Sequence, residues 1–393
     1  MTFFDSLTLL PEDPILSLPI AFAADHHEKK VNLGVGTYKD AEGKPYVLDA
    51  VRKAEDILIR QKLNKEYLPI EGSADFLKEA SKLIFGSEVE AFRAQALGGT
   101  GALRLGAEFL VQETSKTIFL SEPSWPNHHI IFSRGGMKIH TYKYYDDVKH
   151  QVDFSGMCHS IQEMAPGSVI LLHASCHNPT GIDPSFEQWK ELSEIIKKQR
   201  VIPFFDFAYQ GFGEGIEQDA QAIRYFYEQG HEMLIASSYS KNFGLYGDRV
   251  GMLTVITSHK ESLPRIGSQI KQAIRGIYST PPLEGARLVS LILKTPELKA
   301  TWEHELANMR LRIQEMRSTL AADLMEKGDG AYWSFLKNQK GMFSYAGFSE
   351  SQVQKLIKDY GIYMLSNGRI SIPGLNPRNM DDVVSAFLAV SQT

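Results

Sequence analysis

Between Phe92 and Thr257, short apolar runs alternate with helical patterns, and that alternation limits the folds open to this chain. The runs are TIFL (Thr117 to Leu120), VILLH (Val169 to His173), VIPFFDF (Val201 to Phe207), MLIAS (Met233 to Ser237) and VGMLTVI (Val250 to Ile256). Each is nearly continuous in apolar residues, as suits strands covered on both faces. Between two of them, SFEQWKELSEIIKKQ puts Phe186, Trp189, Leu192, Ile195 and Ile196 on one helix face. Strands interleaved with helices predict an α/β fold whose large domain is a mostly parallel sheet covered by helices.

A chain of 393 residues exceeds the usual single core, so a second domain is expected. After Pro296, Trp302, Leu306, Met309, Ile313, Met316, Leu320 and Leu324 recur at spacings of three and four up to Gly328. This predicts a long helix bridging two domains, its stripe devoted to core packing. The segments GMFSYAGF, VQKLIKDYGIYML and GRISIPG beyond it suggest a smaller α+β domain. A net charge of -5 gives no basic stripe for nucleic acid. No stretch approaches the ~20 apolar residues of a membrane helix, and MTFFDSLTLLPEDPIL lacks the basic start of a signal peptide. Two isolated cysteines, Cys158 and Cys176, fit a reducing compartment, so a cytoplasmic location is expected.

In such a sheet, ligands sit beyond the carboxyl ends of strands. Trp125, Asn178, Asp206 and Lys241 each lie at or just past an apolar run. Lys241 stands in SSYSKNFGLYGDRVG, after Ser238 and Ser240 and before Arg249. Burial lowers an amine's pKa, and the neutral amine forms a Schiff base with an aldehyde. Hydroxyls and an arginine suit a phosphate. Aldehyde and phosphate together describe pyridoxal phosphate (PLP); a solvated lysine at a turn is the competing reading.

GGTGALRLGAEFL (Gly98 to Leu110) is a glycine-rich turn opening a helix, which makes Gly99 and Thr100 phosphate candidates. A tight turn capped by threonine is the alternative. In FDFAYQGF, Asp206 ends an apolar strand and needs a cationic partner. A protonated pyridine nitrogen is one such partner, with Tyr209 placed to donate to the ring's phenolate oxygen; a helix cap is the other reading. HNPTG carries Asn178 in an Asn-Pro turn. PSWPNHH offers Trp125, for stacking on a flat heterocycle or for packing, and His128. His128 and His129 make no metal pair without further ligands, and no metal is expected.

Together with VNLGVGTYKD, KEYLPIEG, IRGIYSTPP and SNGRISIPG, these segments resemble the fold-type I PLP-dependent aminotransferases over nearly the whole chain. More narrowly, they resemble the aspartate and aromatic amino-acid aminotransferases. The resemblance implies an N-terminal arm (1–12), a small domain (13–44 and 309–393) and a large PLP-binding domain (45–308). It implies ping-pong transfer of an amino group from aspartate or an aromatic amino acid to 2-oxoglutarate, through a Schiff base on Lys241. Asp206 would pair with the pyridinium, backed by His128, while Tyr209 and Asn178 bond the ring oxygen and Trp125 stacks. Gly99, Thr100, Ser238, Ser240 and Arg249 would line the phosphate cup, joined by Tyr67 from a neighbouring subunit of a homodimer. Arg369, with Asn178 and the backbone near Gly36, would clamp the α-carboxylate. Arg275 would reach from the other subunit to a distal carboxylate.

Gly98 stands where many relatives have serine, and Thr280, Ile277 and Glu66 where asparagine is frequent. These positions bear on donor preference. Other readings are a β-lyase or decarboxylase of the same fold, a ligand-sensing regulator built on it, and a nucleotide-dependent oxidoreductase. The pair Arg275 and Arg369 speaks against the lyase, the lack of a DNA-binding module against the regulator, and the missing GxGxxG against the oxidoreductase.

Overall fold

The apolar runs assemble into one seven-stranded sheet in a computed structural model that describes residues 2–391. Met1 and residues 392 and 393, at the ends of the expected arm and small domain, lie outside the described residues. The strands are β1 (Phe92–Leu97), β2 (Thr117–Glu122), β3 (Lys138–Lys143), β4 (Val169–His173), β5 (Ile202–Phe207), β6 (Met233–Ser238) and β7 (Val250–Ile256). Their spatial order is β1-β7-β6-β5-β4-β2-β3. All neighbours from β6 to β3 run parallel; β7 is antiparallel to both β6 and β1.

The continuous apolar runs follow from two separate cores. Along β4, Ile170 and Leu172 enter one hydrophobic cluster while Val169 and Leu171 enter the other. Phe205 and Phe207 on β5 oppose Phe204 in the same way, so both faces of these strands are packed in apolar side chains up to their carboxyl ends, where His173 and Asp206 stand. Strands β1 and β3 were not among the expected strands. They are the two sheet edges, and neither FRAQAL nor the largely exposed KIHTYK forms an apolar run.

Helix α1 (Gly98–Glu113) connects β1 to β2 and helix α2 (Asn127–Arg134) connects β2 to β3. The helix expected between β4 and β5 spans Phe186–Gln199, opened by a reciprocal cap between Ser185 and Gln188. Trp189, Leu192 and Ile196 are buried there, but Phe186 is not part of the buried face. It is 39% exposed and lies edge-on to Tyr225. Helix α3 (Leu263–Ile277) carries Arg275 in its last turn. Helix α4 runs over Pro296–Lys327 with the expected stripe buried, and Gly328 ends it.

Among the described residues, three two-stranded sheets lie apart from the main one, one of them the hairpin of Tyr145–Asp146 with Gln151–Val152. Val31–Asn32 pairs in parallel with Ile362–Tyr363, and Phe343–Tyr345 pairs antiparallel with Arg369–Ser371. Segments far apart in sequence are thereby joined beside the main sheet. No helix among the described residues is long and apolar enough to cross a membrane. Cys158 and Cys176 are both free and buried.

Candidate active site

A cavity of about 270 Å³ opens at the carboxyl ends of β4, β5 and β6, where parallel strands release their side chains into one space. Lys241 enters it three residues after β6 ends. Its Nζ lies 5.2 Å from the centre of the Tyr209 ring, and no carboxylate pairs with it among the described residues. Burial depresses the amine to about 8, against the pull of Asp206 and with help from Arg249 and Arg369. A neutral, nucleophilic amine is therefore accessible near neutral pH.

Asp206 is the penultimate residue of β5 and is almost fully enclosed. Its Oδ2 lies 2.9 Å from His128 Nε2, and His128 Nδ1 lies 2.9 Å from Ser124 Oγ. Burial alone would raise the carboxyl; the His128 contact, with the nearby Lys241, outweighs it, and the pKa falls below the usual carboxylate value. His173, at the end of β4, accepts the Asn178 N–H at 3.2 Å and is pushed down to about 3 by burial. It is thus a neutral wall beside an ionised carboxylate. Trp125 meets His128 edge-on, with ring centres 5.1 Å apart, so the network that holds Asp206 also orients the indole.

A cup for an anion lies opposite. Gly99 and Thr100, in the first turn of α1, face Ser238, Ser240 and Arg249 across the cavity. The Arg249 guanidinium donates to the Tyr246 carbonyl at 2.8 Å and approaches Ser240 Oγ at 3.5 Å, yet no acidic residue neutralises it among the described residues. Gly98 has φ of +68°, and a Cβ there would stand 2.5 Å from Arg249 Nη2. Glycine at this position therefore allows the guanidinium to lie directly on the helix N-terminus.

Arg369, from the short strand Arg369–Ser371, is buried with no acidic partner among the described residues. It donates to Asn178 Oδ1 at 3.2 Å and to the Gly34 carbonyl at 2.7 Å, and its Nε has no partner among the described residues. Its guanidinium lies 4.0 Å over the Phe343 ring, and burial lowers its pKa to about 10. A buried cation with an idle donor is set to receive a carboxylate.

Gly36, Gly99, Thr100, Trp125, Asn178, Asp206, Tyr209, Ser238, Ser240, Lys241 and Arg249 all line this one cavity, with His128 and Arg369 bonded to its walls. Tyr67 and Arg275 do not line the cavity of their own chain. Tyr67 is 90% exposed, and Arg275 is exposed with its guanidinium bonded to Ser279. The cavity also includes Ile15, Leu16, Thr37, Ser175 and Tyr246, which the sequence did not single out. Only Tyr246 carried a signal, an aromatic residue within the Lys241 to Arg249 loop.

The donor set fits pyridoxal phosphate. An uncompensated arginine at a helix N-terminus suits its phosphate, a low-pKa amine its aldehyde, and a buried ionised carboxylate its pyridinium. A Cβ at Gly99 would come within 3.2 Å of Ser238 Cβ, so the cradle stays open because Gly99 lacks one.

Residues 28–387 match the family model for class I and II aminotransferases. The aspartate aminotransferase of Escherichia coli K12 is 44% identical, over 98% of this chain and 100% of its own. The mitochondrial aspartate aminotransferase of Gallus gallus is 45% identical, over 97% of this chain and 92% of its own. Among solved structures, an aromatic-amino-acid aminotransferase from Burkholderia pseudomallei, covalently bound to pyridoxal phosphate, superposes with a TM-score of 0.96. It is 44% identical, with 99% of this chain and 100% of that one covered.

Proposed function

Because this chain belongs to the class I and II aminotransferases, which depend on pyridoxal phosphate, we propose that it moves the amino group of aspartate or an aromatic amino acid to 2-oxoglutarate. One observation carries the reading: a single cavity and its walls join an amine of pKa about 8, an ionised carboxylate and two cations with no acidic partner among the described residues.

Pyridoxal phosphate supplies, when bound, a carbonyl for an amine and a ring that accepts electron density from the substrate's α-carbon. Lys241 would hold the carbonyl end of the group and, as a free amine, would take and return the substrate's α-proton. Asp206, held by His128, would keep the proton on the ring nitrogen. Tyr209 and Asn178 would donate to the ring's oxygen, and Trp125 would cover one ring face. Gly99, Thr100, Ser238, Ser240 and Arg249 would hold the phosphate. Arg369 forks onto the substrate α-carboxylate beside Asn178 and the Gly36 backbone.

The chain works as a cytoplasmic homodimer, with Tyr67 and Arg275 of each chain serving the neighbouring cavity. The exposure of both residues on their own subunit supports this. An arm (1–12), a small domain (13–44 and 309–393) and a large domain (45–308) complete the reading. The pairing of Val31–Asn32 with Ile362–Tyr363 supports that division.

A panel of amino donors with 2-oxoglutarate tests the reading, run on wild type, Arg369→Leu and Arg275→Leu. All donors should weaken together in Arg369→Leu. Stripping one side of a desolvated charge pair costs about 3–5 kcal/mol, so aspartate should lose at least about a hundredfold in kcat/KM in Arg275→Leu. Phenylalanine should lose far less. If no donor yields glutamate, the proposal fails; equal losses for aspartate and phenylalanine remove the role given to Arg275.

A further inference from the structure

Tyr246 touches both halves of the cavity. Its carbonyl accepts from Arg249 Nη1 at 2.8 Å, and its hydroxyl oxygen accepts the Tyr38 N–H at 2.9 Å. The hydroxyl proton has no acceptor among the described residues. Burial pushes this phenol up to about 12, so it stays protonated at ordinary pH.

The segment that Tyr246 holds is the one bearing Gly36. Its other end is fixed where the Gly34 carbonyl accepts from Arg369 Nη2 at 2.7 Å. Between these anchors, Val35, Gly36 and Thr37 line the cavity, and none of their backbone N–H groups meets a protein acceptor among the described residues. Gly36 is pressed against Phe343, since a Cβ there would stand 2.8 Å from Phe343 Cζ. The Phe343 ring in turn underlies the Arg369 guanidinium at 4.0 Å. A shift of the segment is therefore passed to Arg369 through close-packed atoms.

We propose that Tyr246 is a positioning residue that couples the anion cup to the carboxylate clamp: its backbone steadies Arg249, and its hydroxyl sets the segment on which Gly36 and Arg369 depend. The inference rests on the clamp role given to Arg369. Phenylalanine keeps the ring and the carbonyl and removes only the hydroxyl, so the two couplings separate.

Tyr246→Phe is compared with wild type and Arg369→Leu. In the holoenzyme, KM for the amino donor and for 2-oxoglutarate should each rise about fivefold, the scale of one hydrogen bond, with kcat changed less than about twofold. In the apoprotein, exchange of the Tyr38 amide should accelerate, while the dissociation constant for pyridoxal phosphate stays within about twofold. Unchanged KM values, unchanged Tyr38 exchange, or a loss of pyridoxal phosphate affinity as large as the rise in KM each overturn the inference. An Arg369→Leu enzyme with normal KM values refutes the clamp reading instead, whatever Tyr246→Phe does.

Discussion

Lys241 ties the stability of the apoprotein to pH. Burial lowers its amine from 10.5 to about 8, so between these values the unfolded chain carries a proton at this position that the folded chain has lost. The state that binds more protons is favoured as pH falls, so stability rises with pH across this window. Below about pH 8 the full penalty applies, roughly 3 kcal/mol at 1.36 kcal/mol per unit; above 10.5 it vanishes. Lys241→Met removes the titrating group and keeps the bulk. Urea denaturation of the two apoproteins should show the variant more stable near pH 8, with the difference shrinking towards pH 10.5. A constant difference across that range would mean that the amine is not desolvated. The same burial that costs stability leaves a neutral amine available for chemistry.

Among the elements, α4 does more than its apolar stripe announces. Glu305 projects from it to the N-terminus of the helix Asp49–Gln61, whose N-cap, Leu48, has no side-chain acceptor. Its carboxylate accepts from the Tyr46 hydroxyl and the Asp49 N–H, each at 2.7 Å, and from the Ala50 N–H at 3.0 Å. One helix thus caps another with a charge that also suits the N-terminal dipole. Glu305→Ala leaves all three donors without this acceptor and should cost about 2 kcal/mol, within the range for charged hydrogen bonds. Glu305→Gln should cost less. Denaturant midpoints with amide exchange over residues 49–53 check this; normal exchange there in the alanine variant would refute the capping role. Such a contact leaves no trace in a sequence pattern, because its partners are 256 residues apart. By contrast β4 to β7 were legible, since burial on two faces forces unbroken apolar runs. Edge strands β1 and β3 and the two- and three-residue strands near Val31 and Phe343 were not, being too polar or too short to carry a period. The candidate site was legible wherever chemistry demanded an unusual residue at a strand end, as at Asp206 and Lys241. Tyr246 went unread because its work is done through a hydroxyl bonded to a distant backbone.

On the scale of the whole molecule, the isolated subunit carries surface that its own fold does not use. Phe3 and Leu9 are 97% and 96% exposed, Tyr67 is 90% exposed, and Arg275 lies outside the cavity although the proposed chemistry of a dicarboxylate calls for it. The proposed two-fold dimer with shared cavities would account both for apolar side chains left in water and for site residues left outside the site. Complementation tests this directly. Lys241→Ala on one chain and Arg275→Asp on the other should each give homodimers nearly inactive towards aspartate. A mixed dimer puts both lesions into one cavity and leaves the other with an intact lysine and an intact arginine. Random reassortment of an isologous dimer makes about half the dimers mixed, so roughly a quarter of all cavities should regain activity. Co-refolding should therefore restore turnover, whereas mixing intact homodimers without subunit exchange should not. If verified mixed dimers stay as inactive as their parents, Arg275 acts within its own chain and the shared cavity is wrong.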